Sequence, residues 1–145
     1  MNVLLLLDMV AAGRGDRVAV QAGDDRLTAA ELLAGAWGAG RVAAGASALA
    51  YVGTNGLGVP IGLFGAAAAG VPFVPLNYRL GHDQLHDLLA PLGDALVVAD
   101  GEAAGGLAAR GHRVLGAAQL VAAGRHGGPA GDVPADGDGP AVLLY

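Results

Sequence analysis

From residue 42 to residue 78 the chain carries no charged side chain. Such a stretch has to be buried, either across a bilayer or inside a protein, and its breakers decide between the two. Gly53, Asn55, Gly56, Gly58, Pro60, Gly70, Pro72 and Pro75 divide it into pieces. The one helical piece, about residues 58–69, is shorter than the ~20 residues a spanning helix needs. The stretch therefore reads as short buried elements: a strand at residues 49–52, a glycine-rich turn at 53–58, an apolar helix, and a strand at 71–76. A helix apolar on every side has to lie between a sheet and neighbouring elements. Pro72 and Pro75 cannot donate to a ladder, so their strand is expected at a sheet edge or with those positions unpaired.

The flanking sequence continues the alternation. Residues 2–12 form an expected helix ended by Gly13-Arg14-Gly15-Asp16; the run M-N-V-L-L-L-L-D-M-V lacks the basic start of a secretion signal and is interrupted by Asp8. Residues 18–22 and 26–27 flank a Gly23-Asp24-Asp25 turn, a short hairpin. Thr28 and Glu31 have capping-box spacing, and Leu32, Leu33, Ala36 and Trp37 follow on one helical face, with Trp37 read as core. Residues 82–92 read as an amphipathic helix on Leu85, Leu88, Leu89 and Leu92. A strand at 95–99, a helix at 102–110, a strand at 113–115 and a helix at 117–123 follow. Residues 124–139, rich in Gly, Pro and Asp, read as an exposed flexible loop, and residues 141–145 as a final apolar strand. Strands alternating with helices predict an α/β fold, a mainly parallel sheet with helices on both faces.

Composition removes several chemistries. No cysteine is present among 145 residues, and all 8 basic residues are arginine. A disulfide frame, a thiol nucleophile, a Schiff-base lysine and a P-loop lysine are all excluded for these residues. A net charge of −5 with scattered arginines argues against a nucleic-acid partner. The lack of cysteine fits a reducing, cytoplasmic compartment.

Three stretches carry a family resemblance. L-T-A-A-E-L-L at 27–33 is similar to a family helix start, "LTYxEL". L-F-G-A-A-A-A-G-V-P-F-V-P-L-N-Y-R-L at 63–80 is similar to "GAxxAGxxxVPLNxRL". G-P-A-V-L-L-Y at 139–145 is similar to the strand that leads into a Ser/Thr/Gly-rich phosphate loop. In order and spacing they resemble the N-terminal part of the AMP-forming acyl-CoA synthetases, within the adenylate-forming acyl/aryl-CoA ligase superfamily. The resemblance implies activation of a small-molecule carboxylic acid, fatty or aromatic, through an acyl-adenylate to a CoA thioester, with ATP, Mg²⁺ and CoA used by the intact enzyme. It also implies that the phosphate loop, the metal-binding glutamate and the catalytic lysine lie in a part of the family's chain without matching positions here. Residues 1–145 are thus expected to be an incomplete portion of the domain, inactive and without cofactor by themselves. By the same resemblance, Arg79 of the "LNxRL" exit approaches the phosphates of CoA; the residue pattern alone gives an exposed arginine beside the next helix. Apolar sheet edges left open by an incomplete domain would favour self-association, and a non-catalytic module that joins itself or a partner chain is the alternative reading.

Other signals have simpler readings. The 53–58 turn sits where anions bind helix N-termini, yet it matches no dinucleotide or Walker pattern, so a tight turn with close packing is expected. His82 and His86 share a helix face at metal-ligand spacing, with a solvated face as the simpler reading. Asp132, Asp136 and Asp138 miss the calcium-loop spacing. Ser47 lacks a nucleophile context.

Overall fold

The computed structural model describes residues 2–126, 131–132, 134 and 139–145. Its element order is α1 (Val3–Arg14), β1 (Val18–Ala22), β2 (Asp25–Thr28), α2 (Ala29–Ala43), β3 (Leu49–Val52), α3 (Gly58–Ala69), β4 (Phe73–Leu76), α4 (His82–Leu89), a 3-10 turn (Ala90–Leu92), β5 (Leu96–Ala99), α5 (Gly101–Ala109), β6 (Arg113–Leu115) and α6 (Ala117–Arg125). The strands β4-β3-β5-β6 form a parallel sheet in that order, and β1 and β2 form a separate antiparallel hairpin.

Period-two alternation sorts the strand side chains between two helical layers. Leu49, Tyr51, Phe73, Leu96 and Val98 face a core shared with α1, α2, α3 and α6. Ala50, Val52, Val74, Leu76, Val97 and Ala99 face the opposite core, closed by Leu85 and Leu89 of α4 and Leu107 of α5. The expected three layers, with helices on both faces, are therefore present.

Local chemistry sets the helix ends. The Thr28 hydroxyl accepts from the Glu31 N–H at 3.2 Å, and the Thr28 N–H donates to the Glu31 carboxylate at 2.8 Å. The reciprocal cap starts α2 where the sequence places it. α3 ends at Gly70, whose φ of 72° is a left-handed conformation that an L side chain adopts at a cost. The expected helix over 82–92 is shorter than its apolar spacing suggests. Pro91 lies in a 3-10 turn after Leu89, and Gly93 leaves at φ 75°.

Two strand expectations are corrected. The strand expected from residue 71 begins at Phe73. The strand expected at 141–145 is a single bridge, Val142 against Phe73. Proline chemistry explains the second difference. The Phe73 N–H donates to the Ala141 carbonyl at 2.9 Å and its carbonyl accepts from the Leu143 N–H at 3.0 Å, so Phe73 turns its backbone away from β3. Two residues on, Pro75 turns the same way and has no N–H to continue the ladder. β4 is the edge of the named sheet, as its prolines require, but its outer side is partly covered. Beyond the sheet, Leu5, Leu6, Met9 and Val10 of α1 are among the exposed large apolar side chains.

The α2 interfaces rest on glycine. A Cβ at Gly38 would lie 2.5 Å from the Cα of Gly124 and closer still to the Ala123 carbonyl oxygen, and a Cβ at Gly124 would overlap the Cα of Gly35. On the α3 side, a Cβ at Gly40 would come 2.7 Å from the Ala68 methyl. The backbones touch where glycine leaves no side chain between them.

Candidate functional site

The carboxyl ends of the parallel strands gather the polar groups. After β3 the chain crosses to β4 on one side; β5 lies on the other side of β3 and leads on to β6. The loops after β3 and β5 therefore diverge at adjacent strands, the place where open α/β sheets form a ligand crevice. Residues 53–58 leave β3 there, and Asp100 leaves β5. The Asp100 carboxylate accepts from the Ala117 N–H at 3.2 Å, so it caps the start of α6.

At the β3–β4 edge a cavity of about 450 Å³ is bordered by Tyr51, Thr54, Asn55, Pro75, Asn77 and Tyr78, among others. Tyr51 is 5% exposed and its ring lies 6.4 Å from that of Phe73. Burial, and then the negative charge of Asp100, push the Tyr51 phenol above 10.0. It is a neutral hydrogen-bond donor at any physiological pH.

Arg79 follows Asn77 and Tyr78, which border the cavity. The Asn77 side-chain oxygen accepts from the Arg79 N–H at 3.0 Å, a local turn that fixes the exit from β4. The Arg79 guanidinium carbon lies 5.8 Å from the centre of the Tyr78 ring, and both side chains are exposed. This stacking is within cation–π range. It holds the guanidinium beside Tyr78 at the exit from β4. Ligands for Mg²⁺ are another matter. No group of three His, Asp or Glu among the described residues could hold a metal ion, so no step through Mg²⁺ is derived from this chain.

The two-histidine arrangement on α4 differs from its sequence reading. His86 does not pair with His82. Its Nδ1 lies 2.8 Å from Nε2 of His112, with ring centres 5.0 Å apart at 67°. His82 instead lies where a Cβ on Gly106 would be 2.8 Å away, so it packs on α5. Asp83 and Arg110 form an ion pair beside them. Of the acidic trio, Asp136 and Asp138 lie outside the described residues, and Asp132 is exposed. Ser47 donates to the Leu92 carbonyl at 2.5 Å, and Trp37 is 8% exposed in the core.

The histidine pair gives a pH prediction. One nitrogen must donate and the other accept, so two protonated rings cannot keep the contact. Burial, the His86 charge and the Arg110 guanidinium, in that order, lower the His112 pKa from 6.5. A depressed folded-state value means the unfolded chain binds the proton more readily. The contribution is therefore full above 6.5 and is lost as pH falls through the folded value of His112. Urea melts between about pH 7 and pH 5 are expected to show a fall in stability that His112→Gln reduces; an unchanged slope in the variant would contradict the assignment.

Tyr51 and the His86–His112 contact were not singled out by sequence reasoning. Tyr51 could have been found: it is the one residue with a polar side chain in a four-residue buried strand, L-A-Y-V. The histidine contact spans 26 positions and leaves no local signature.

Comparison with solved structures decides the fold. A Mycobacterium tuberculosis fatty acyl CoA synthetase superposes with a TM-score of 0.80 over 99% of this chain and 32% of its own, at 24% identity. ATP-bound MatB from Rhodopseudomonas palustris gives a TM-score of 0.80 over 99% of this chain and 32% of its own, at 23% identity. The N-terminal domain of FACL13 from Mycobacterium tuberculosis gives 0.76 over 99% of this chain and 41% of its own, at 25% identity. The fold is that of the adenylate-forming enzymes. No protein-family model and no curated protein matches the sequence. The chain spans about a third of the length of the synthetases to which it is similar. As an adenylate-forming fold, the four-stranded sheet, its flanking helices and the β1–β2 hairpin lie within residues 2–126. No helix among the described residues is long and apolar enough to cross a membrane.

Proposed function

We propose that this chain supplies one flank of an acid–CoA ligase, working in the cytoplasm on a fatty or aromatic acid. In the first half-reaction the carboxylate oxygen attacks the α-phosphorus of ATP, forming an acyl-adenylate and releasing pyrophosphate. In the second, the CoA sulfur attacks the acyl carbon and AMP departs, leaving a thioester. The observation that carries this reading is the extent of the likeness: 99% of the chain follows the fold of a fatty acyl CoA synthetase at a TM-score of 0.80. Pro75, Leu76, Asn77 and Tyr78 of the V-P-L-N-Y-R-L exit border the β3–β4 edge cavity.

This chain's part is positioning. Asn77 fixes the turn, Tyr78 holds the arginine, and Arg79 presents its guanidinium to a phosphate of CoA. In the protein that carries this chain, Arg79→Ala is expected to raise the KM for CoA about tenfold, the equivalent of ~1.4 kcal/mol. Acid-dependent adenylation should be unaffected. Steady-state kinetics with CoA as the varied substrate checks this, and an unchanged KM would remove Arg79 from the CoA site.

A further inference from the structure

Successive hydrogen bonds tie Arg79 to α4. The Arg79 N–H donates to the Asn77 side-chain oxygen at 3.0 Å, and the Leu80 N–H to the Asn77 carbonyl at 3.1 Å. The Gly81 N–H donates to the Gln84 side-chain oxygen at 3.2 Å, and the Leu85 N–H to the Gly81 carbonyl at 3.0 Å. α4 then begins at His82. Whatever holds α4 in place therefore also holds the exit from β4.

Two kinds of contact hold α4. On its apolar side, Leu85 and Leu89 are fully buried in the core shared with α5. On its polar side, the contacts join groups that carry or can take a charge. His86 meets His112, in the loop between α5 and β6, and Asp83 pairs with Arg110 at the end of α5. The other ionisable groups nearby are turned elsewhere or lie apart. His82 packs on Gly106 of α5, and Asp87 is exposed. Glu102 sits in the first turn of α5, at the opposite end of that helix from Arg110. Arg113 donates to the Val42 carbonyl at 2.6 Å, which directs it to α2.

Acid acts on one side of α4 only. The leucines carry no charge and stay docked at any pH. When both histidines carry a proton, neither facing nitrogen can accept. Two imidazolium rings then repel each other beside the Arg110 guanidinium, and Asp83, already paired, offsets only part of that charge. Burial and the two positive neighbours keep His112 neutral until pH falls below 6.5, so the contact is intact in neutral solution.

We propose that the His86–His112 contact is a pH-sensitive latch on α4: in acid it releases the polar side of the helix and loosens the Asn77–Arg79 exit while the sheet stays folded. On the ligase reading of Arg79, CoA capture then weakens in acid; the latch itself does not depend on that reading. Local opening of this kind is seen as faster amide exchange in one element than in the rest of the fold.

Hydrogen exchange read by mass spectrometry tests this in the protein that carries the chain, at about pH 7 and about pH 5, corrected for the intrinsic effect of pH. No CoA is present, so the result is independent of the ligase reading. Protection of residues 77–89 is expected to fall about tenfold in acid, and protection of β5 to fall less. His112→Gln, whose amide donates and accepts without titrating, is expected to remove the pH dependence of α4. His82→Gln, outside the pair, is expected to leave it in place. Equal falls in α4 and β5, no fall in α4, or a fall that persists in His112→Gln would overturn the proposal.

Discussion

Gly38→Ala is expected to destabilise the chain by about 2 kcal/mol or more and to lower Tm by roughly 6 °C. The added methyl would meet backbone rather than a side chain that can turn aside. It would lie 2.5 Å from the Cα of Gly124 and overlap the Ala123 carbonyl oxygen. Two helices would have to move apart, and Leu120 of α6, which is fully buried, would lose packing. Helix propensity acts in the opposite direction, since alanine is preferred over glycine by about 1 kcal/mol in a helix interior. The steric term wins because backbone has no rotamer to offer. Gly105→Ala is the control. Gly105 is exposed in α5, and nothing lies within 4 Å of its added methyl. Propensity alone operates there, and a gain of about 0.5–1 kcal/mol is expected. Denaturant melts of the two variants check the pair. Equal effects of one sign would contradict the close approach of α2 and α6.

The contrast shows which parts of the fold are legible in sequence. Elements fixed by neighbours in the chain are: the Thr28–Glu31 cap, the apolar helix Gly58–Ala69, and the prolines that place β4 at the edge of the named sheet. The V-P-L-N-Y-R-L motif likewise located the exit from β4, whose Asn77 and Tyr78 border the edge cavity. Elements fixed by partners far along the chain are not legible. Gly38 and Gly124 look like ordinary weak points in two helices until the helices meet. His86 has a tempting neighbour at His82, and its actual partner, His112, arrives from another element. The A-V-L-L-Y run has strand composition, but a strand needs a willing ladder, and Pro75 removes the next donor on that side of β4. Tyr51 lay within a correctly read strand; its nearness to Gly58 at the α3 start and to the Asp100 charge arises only in the folded sheet.

The second large effect concerns catalysis. A chemical step on ATP needs cationic groups that offset charge on the transferred phosphoryl group. Among residues 1–145 these are arginines alone, and there is no lysine. Arg79 is exposed at the exit from β4 and Arg125 borders a separate cavity. The described residues also offer no metal-ligand cluster for the magnesium that accompanies ATP. On the proposed function, acyl-adenylate formation is expected to draw on residues outside this sequence, with this chain expected to provide one flank of the site. The effect expected is all-or-none rather than a graded loss of rate. Carboxylate-dependent exchange of labelled pyrophosphate into ATP is the most direct measurement. It should be made on residues 1–145 alone and on the protein isolated from its source that carries this sequence, across a series of fatty and aromatic acids. The account predicts exchange with at least one acid by the source protein and none by residues 1–145. Exchange by residues 1–145 alone, or its absence with every acid in the source protein, would contradict it.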